Sequence, residues 1–523
     1  MTVDYLSIAT EALNRVEPDD LSDFSGLSHP AEPYEGALAG YLFPFQQAGV
    51  QYIAKARQVL VGDDMGLGKT AQALAALLND GAAGYTEPVL VLCPPSLTAN
   101  WQREIENLSD LSVYVAKGLN PTDEEHAEAM GHDVIVAGYS VLRTERVTVD
   151  KGGRVSTEIR GQGWARMLRH NIAALVVDES HYLKNYKAQR TEAATLLADS
   201  LPTDALRILL TGTPVLNRPN ELATQIGLLG RLSDTGFYSS FNWLKHYCNG
   251  RQSRWGWDFS GASNISMLNE RMRKHFYVRR TKRDAGIGEQ IGTTEGKRAP
   301  VKVSLDLNGS LAKYNRASDD IIAFAREHGG AKAAWSAARA EVLVRLNALR
   351  KLAGEAKVET AVEWVQNWLD SNPEDRIVVF ATYKAVQHAL VEAFDAPAIL
   401  GGQSAEVTEA EKARFNDGDA RVIVVSLAAG REGHTLLGGG ACSDVLFTEQ
   451  GWTPAEHQQA EDRVNRIGQT EVVTPWYLLG APIDHALRDL IEAKQVVTDA
   501  VANGADAEAD EAIAEAAFYR LTA

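Results

Sequence analysis

The chain is short of cysteine, has no long apolar run and carries no excess of positive charge. Its three cysteines, Cys93, Cys248 and Cys442, are far apart and odd in number. That argues against a disulfide framework or a clustered zinc site and suits a reducing compartment, so a cytoplasmic protein is expected. No apolar run is long enough to span a bilayer, and the first residues, with Asp4 and Glu11, do not read as a signal peptide. A net charge of -17 argues at first sight against nucleic acid as a partner. The acid excess is uneven, though. Residues 1–35 hold eight acids and one base, and residues 491–523 hold seven acids and two bases, leaving a balance of -5 on the 455 residues between. A basic groove fits within that middle, with Arg271 to Arg283 as one candidate cluster, while the acidic ends read as solvated surface. At 523 residues, at least two domains are expected.

The most informative stretch runs from Gly62 through Asp63, Asp64, Met65, Gly66, Leu67 and Gly68 to Lys69 and Thr70. An apolar run, Val59-Leu60-Val61, precedes it and reads as a buried strand; Thr70 to Leu78 reads as a helix. Strand, glycine loop and helix start present backbone N–H groups to phosphate oxygens. Lys69 is placed to reach the β- and γ-phosphates and Thr70 to hold magnesium. Asp63 stands where the generic phosphate-loop pattern has its first glycine. Upstream, helix signals resume after Pro44, and Gln46 has an amide able to pair with an adenine edge.

Four further apolar runs follow, each ending in polar residues: Val89 to Cys93 before Pro94-Pro95-Ser96, Val134 to Ala137, Ala174 to Val177 before Asp178-Glu179-Ser180-His181, and Arg207 to Leu210 before Thr211-Gly212-Thr213-Pro214. Short apolar runs alternating with helical patterns predict parallel strands with crossover helices, whose ligands gather at the strand carboxyl ends. At such an end an Asp can hold magnesium and a neighbouring Glu can polarise an attacking water. Residues 230–275 are rich in aromatics, including Phe237, Tyr238, Phe241, Trp243, Tyr247, Trp257 and Phe259, and are expected to form an insertion with its own small core. A short helix is expected near Tyr5 to Val16, and a linker from Asp284 to Pro300.

After a helical region from Leu311 to Leu369 the alternation restarts, with strands at 377–380, 422–425, 445–447 and 476–479. No second phosphate loop occurs. Instead the chain carries Ser426 to Gly433, reading SLAAGREG, and Gln458 to Gln469, reading QQAEDRVNRIGQ. Arg463 and Arg466, three apart, are expected on one helix face, where two guanidinium groups suit a γ-phosphate bound by the other lobe.

Taken together, LFPFQQAGV, DDMGLGKT, VLCPPSLTANW, DESH, LTGTPVLNRPNEL, FYVRRTKRD and QQAEDRVNRIGQ resemble, in order, the motifs of the Swi/Snf-type ATPases of helicase superfamily two. The resemblance covers roughly residues 40–490; RIGQ is specific to the family, and Asp63 is the family's own form of the loop. The closest branch resembles the annealing helicases related to the HepA-like proteins, on Leu42 to Gln46, Tyr247-Cys248 to Gly261, and AEDRVNRIGQT. Two departures stand out: Asn465 where the family usually has histidine, and Arg431-Glu432 where the branch tends to be apolar or neutral.

The resemblance implies an α/β fold of two RecA-like lobes with parallel sheets and helical insertions in the Swi/Snf manner. The implied boundaries are an acidic segment 1–39, a first lobe 40–283, a linker 284–300, a second lobe 301–490 with a helical insertion about 305–355, and an acidic tail 491–523. ATP and magnesium are implied, with double-stranded or forked DNA as partner and replication or repair proteins beside it, and no membrane. Gln46, Asp64, Met65, Gly66, Leu67, Gly68, Lys69 and Thr70 are implied to bind the nucleotide; Thr70 and Asp178 magnesium; Lys69, Thr70, Asp178, Glu179, Arg463 and Arg466 to carry hydrolysis. Ser96, His181, Thr211, Thr213, Gly430, Trp452 and Gln459 are implied to contact DNA or couple it to the nucleotide. The expected activity is an ATP-dependent double-stranded DNA translocase in remodelling, rewinding, replication or repair. The rivals are an RNA polymerase-recycling ATPase, which needs a polymerase-docking domain; an RNA helicase, which RIGQ disfavours; and a non-catalytic DNA-binding scaffold, which would have lost Lys69 or Glu179.

Overall fold

The computed structural model describes residues 20–150, 155–215, 218–253, 256–285, 300–307, 310–429, 435–465, 469, 471–503 and 513–522. The expected helix near Tyr5 to Val16, most of the expected linker, Gly430 and Arg466 lie outside these residues.

In chain order the strands of the first half are β1 (Gln58–Val61), β2 (Val89–Cys93), β3 (Val113–Ala116), β4 (Val134–Gly138), β5 (Arg143–Asp150), β6 (Val155–Gln162), β7 (Ala174–Asp178), β8 (Arg207–Leu210), β9 (Arg251–Ser253), β10 (Gly256–Asp258) and β11 (Tyr277–Val278). Seven of them form one sheet in the order β11-β1-β8-β7-β2-β4-β3, parallel throughout. The second half contributes β12 (Val301–Ser304), β13 (Arg376–Ala381), β14 (Ala398–Ile399), β15 (Val422–Ser426), β16 (Cys442–Phe447) and β17 (Thr474–Leu479), a six-stranded sheet in the order β12-β17-β16-β13-β15-β14, again parallel.

Both sheets are covered on both faces, which is why their strands are near-continuous apolar runs. Strand alternation divides each run between two cores. Leu60, Leu90, Ile135, Leu175 and Leu209 enter one first-lobe core, while Val59, Val89, Val134, Val176 and Ile208 enter the other. In the second sheet Val378, Ile423 and Val445 face one layer and Ile377, Val422 and Leu446 the opposite layer.

Four sequence expectations are corrected. Among its described residues the aromatic segment 230–275 shows no separate core: Trp243, Tyr247, Cys248, Ile265 and Met272 belong to the same core as Leu60 and Leu175. The helical region expected from Leu311 to Leu369 is borne out, as helices Ala312–Glu327 and Ala331–Ser371 with Gly329 and Gly330 at positive φ between them. The described part of the acidic tail is not a solvated run: helix Pro482–Asn503 continues through its first part, and helix Ile513–Thr522 buries Ala517 and Phe518 in one core with Trp335, Leu346 and Leu487. The other two concern the basic cluster and the helix expected to carry Arg463, and are described with the site. Strands β5 and β6, an antiparallel hairpin absent from the sequence reading, stand largely exposed and are tied at their base by Glu192, which accepts Thr144 Oγ1 at 2.7 Å and pairs with Arg146 at 2.5 Å. No described helix is long and apolar enough to cross a membrane.

Candidate nucleotide site between the lobes

The glycine loop sits at the carboxyl end of β1 and opens helix Lys69–Asn79. Gly68 is its N-cap at φ 67°, a left-handed conformation, and a Cβ there would lie 2.3 Å from Gln46 Nε2, so position and space both require glycine. Gln46 is buried; its Oε1 accepts the Phe43 N–H at 2.9 Å and its Nε2 donates to the Leu67 carbonyl at 3.1 Å, tying the upstream helix to the loop. Lys69 Nζ donates to the carbonyls of Asp63 at 2.9 Å and Asp64 at 3.1 Å. Burial lowers its pKa, against the opposing pull of Glu179, Asp63 and Asp178.

The reason for Asp63 lies 217 residues away. Its fully buried carboxylate accepts the Arg280 backbone N–H at 2.9 Å, Arg280 Nε at 3.0 Å and Gln72 Nε2 at 3.0 Å, and the Arg280 guanidinium closes a second contact on its other oxygen. Asp64 pairs with Arg279 at 2.8 Å and accepts the Lys282 backbone N–H at 3.0 Å. The basic cluster expected to face a polyanion is therefore, over Arg279, Arg280 and Lys282, a buried clamp on the glycine loop. Its charges are paired because unpaired buried charge is costly.

Asp178 ends β7. Its Oδ2 accepts Trp101 Nε1 at 2.8 Å, its Oδ1 the Glu179 N–H at 2.9 Å, and its carbonyl the Tyr139 hydroxyl at 2.5 Å. Burial, then the adjacent Glu179 carboxylate, raises the Asp178 pKa. Burial also works to raise Glu179, but His181, Lys69 and Arg463 outweigh it and hold Glu179 below its ordinary value. Glu179 has φ 49° and ψ 51°, a left-handed conformation that a non-glycine residue adopts at a cost. Its Oε2 is buried without a hydrogen bond, 3.3 Å from His181 Nδ1.

From Glu179 a continuous path leads to the second lobe. His181 Nδ1 lies 3.0 Å from Thr211 Oγ1, which accepts the Thr213 N–H at 3.1 Å. Thr213 Oγ1 accepts Gln459 Nε2 at 3.2 Å, and the Gln459 carbonyl accepts Arg463 Nε at 2.9 Å. Arg463 is 1% exposed. The expectation that Arg463 and Arg466 share a helix face is corrected: the helix is Pro454–Glu461, capped by Asp462, and Arg463 lies in the turn beyond it.

The remaining expected residues are more dispersed. Thr70 is half-buried in the first helical turn, and Met65 and Leu67 are buried in the loop. Ser96 is exposed in a short turn after β2. Trp452 lies under the Arg350 guanidinium, 4.2 Å from ring centroid to cation, and lines an interlobe cleft of about 1100 Å³ with Tyr186, Arg218, Phe241, Arg339 and Lys494. Sequence reasoning assigned no site role to Trp101, Tyr139 or Asp63, and it read Arg279, Arg280 and Lys282 as part of a basic groove rather than as partners of the glycine loop. Trp101, Asp63 and the three basic residues lie within quoted motifs, but their partners are remote in sequence.

These residues fit a magnesium nucleotide. The loop and helix start present N–H groups, Lys69 rests on carbonyls that a phosphate would replace, and Thr70 with Asp178 supplies hard oxygen donors. Two parallel α/β lobes with a glycine loop on one and a buried arginine on the other define the two-lobed RecA-like class. The chain belongs to the SNF2-related family: the SNF2-related domain matches residues 45–353 and the helicase conserved C-terminal domain residues 357–468. It is 30% identical over 472 residues to the SWI/SNF-related matrix-associated actin-dependent regulator of chromatin subfamily A-like protein 1 of Xenopus laevis, covering 88% of this chain and 44% of that protein. It is 30% identical over 481 residues to the DNA annealing helicase and endonuclease ZRANB3 of Mus musculus, covering 88% and 41%. The chain thus spans less than half the length of either relative, and the annealing-helicase branch of the resemblance is represented among them. The Sulfolobus solfataricus SWI2/SNF2 ATPase core in complex with dsDNA aligns at 21% identity over 91% of this chain and 95% of that one, with a TM-score of 0.39.

Proposed function

We propose that the chain is a DNA-stimulated ATP hydrolase that moves along double-stranded or forked DNA, in remodelling, rewinding or annealing during replication or repair. The single observation that carries this reading is the path from Glu179 through His181, Thr211, Thr213 and Gln459 to Arg463, because it joins a carboxylate beside the phosphate loop to a guanidinium on the opposite lobe. Gly66, Gly68, Lys69 and the first amides of helix Lys69–Asn79 hold the phosphates. Thr70 and Asp178 would hold magnesium, which would supply neutralisation of phosphate charge. Glu179 orients the attacking water, and Trp101 and Tyr139 fix Asp178.

Gln46 reaches adenine with the amide hydrogen and lone pair that its contacts to Phe43 and Leu67 leave over. Arg463 stabilises charge on the γ-phosphate when the lobes close, and the resemblance gives Arg466 the same role. The resemblance assigns Ser96, Gly430 and Trp452 to contact with DNA or its coupling, where phosphate contacts carry no base information and grip is sequence-blind. The names of the annealing-helicase relatives support DNA as the partner, and the low cysteine content supports a cytoplasmic place of action. An ATPase assay comparing no nucleic acid, duplex, single strand, forked DNA and RNA tests the reading: stimulation is expected with duplex or forked DNA, and stimulation by RNA alone refutes it.

A further inference from the structure

We infer that Lys282 is an interlobe positioning residue that seats the turn carrying Arg463 against the phosphate loop. The inference rests on the ATP-hydrolase reading above and names a residue through which the two lobes set the site.

Within the 279–282 clamp, the Lys282 side chain leaves the first lobe and reaches the second. Its backbone N–H donates to Asp64 Oδ2 at 3.0 Å, inside the glycine loop. Its Nζ lies 3.0 Å from Asp462 Oδ1 and donates as well to the Asn465 carbonyl. Asp462 directly precedes Arg463, and Asn465 follows it by two. One residue thus holds the loop by its main chain and both flanks of the arginine by its side chain.

The chemistry of the pair makes this contact specific to the docked lobes. The side chains of Lys282 and Asp462 are 9% and 2% exposed. A buried ammonium and carboxylate are tolerated together and strongly disfavoured apart. Asp462 also caps the carboxyl end of helix Pro454–Glu461, where the helix dipole opposes an anion. The position therefore calls for a cation, and Lys282 supplies it from the other lobe. When the lobes part, both groups return to water. The bond to residue 465 goes to its backbone carbonyl, so the asparagine there, in place of the family's usual histidine, leaves this contact intact.

The test uses the full chain with duplex DNA, measuring kcat, the KM for ATP and thermal unfolding for Lys282→Met, Lys282→Arg, Arg463→Ala and the Lys282→Met/Arg463→Ala double variant. Misplacing a catalytic group by about 1 Å costs up to about a hundredfold, so Lys282→Met is expected to lower kcat by roughly tenfold to a hundredfold. KM stays close to that of the unsubstituted chain, the unfolding temperature falls because Asp462 is left without its cation, and Lys282→Arg, which keeps the charge, recovers part of both losses. In the Arg463→Ala background the Lys282 substitution is expected to change kcat by less than about twofold, because residues acting as a unit are not additive. Unchanged kcat in Lys282→Met, or an equal further loss in the Arg463→Ala background, overturns the inference. Slow Arg463→Ala beside normal Lys282→Met refutes the positioning role alone, while normal turnover in Arg463→Ala refutes the two-lobe hydrolysis reading and the inference with it. Should Lys282→Met fail to fold, the isosteric Asp462→Asn carries the same expectations.

Discussion

Gln459 Nε2 donates to Thr213 Oγ1 at 3.2 Å, joining the two lobes through side chains that are each 3% exposed. The same threonine's N–H is held by Thr211, and the same glutamine's carbonyl holds Arg463. A displacement of either lobe is therefore felt at the strand ends that carry Glu179. Thr213→Val keeps the shape and removes the acceptor, leaving a buried amide unpaired at a cost of about 1–3 kcal/mol. The expected outcome is a fall in duplex-stimulated turnover with ATP affinity preserved, read by comparing kcat and nucleotide binding with and without duplex.

Glu179 lies beside Asp178 at the end of β7, and His181, Lys69 and Arg463 favour its carboxylate form against burial. Glu179→Gln keeps the size and removes the base. ATP is expected to bind as before while hydrolysis slows by roughly a hundredfold or more, as loss of a positioned base does. Single-turnover hydrolysis beside equilibrium nucleotide binding separates the two; a normal rate sinks the assignment.

Asp63→Gly would bring the loop into the generic phosphate-loop pattern, yet it is expected to damage the protein. Arg280 is fully buried and reaches Asp63 with its backbone N–H, Nε and Nη2. Stranding that guanidinium costs about 3–5 kcal/mol, the range for breaking a buried pair. Thermal unfolding of Asp63→Gly against the unsubstituted chain checks this, and an unchanged midpoint shows that Arg280 finds another partner.

Phe518 tests the C-terminal correction. It is fully buried, with its ring 6.2 Å from that of Trp335. A solvated acidic tail would tolerate Phe518→Ala; a packed helix loses about 3–5 kcal/mol. Denaturant unfolding of the full chain distinguishes them. Deleting residues 491–523, which the composition alone presents as harmless to DNA binding, is expected to open the core around Trp335, Leu346 and Leu487.

Local pattern carried a large part of the architecture. Five strands of the first sheet and four of the second are apolar runs long enough to be recognised, because strands buried on both faces cannot afford polar residues. The strands missed, Val113–Ala116, Tyr277–Val278, Val301–Ser304 and Ala398–Ile399, are short or lie at sheet edges, where little distinguishes them from loop. The helix end at Glu461 was missed because residues 458–469 contain neither glycine nor proline before Gly468, so nothing local marks a stop.

By itself the sequence determined the phosphate loop, its following helix, the strand-end Asp178-Glu179 pair and the order of motifs that marks the family, since each is a short contiguous pattern whose chemistry follows from residue type and spacing. Tertiary structure alone decided which distant groups meet. Asp63 and Arg280 are 217 residues apart, Gln459 and Thr213 are 246, and Lys282 and Asp462 are 180. No periodicity links such positions; they meet because parallel strands bring their carboxyl ends to one edge of each sheet and the two edges face each other. The same placement turned a run of arginine and lysine from a surface for polyanions into a buried clamp, because a charge's role is set by the charge it faces and not by its neighbours along the chain.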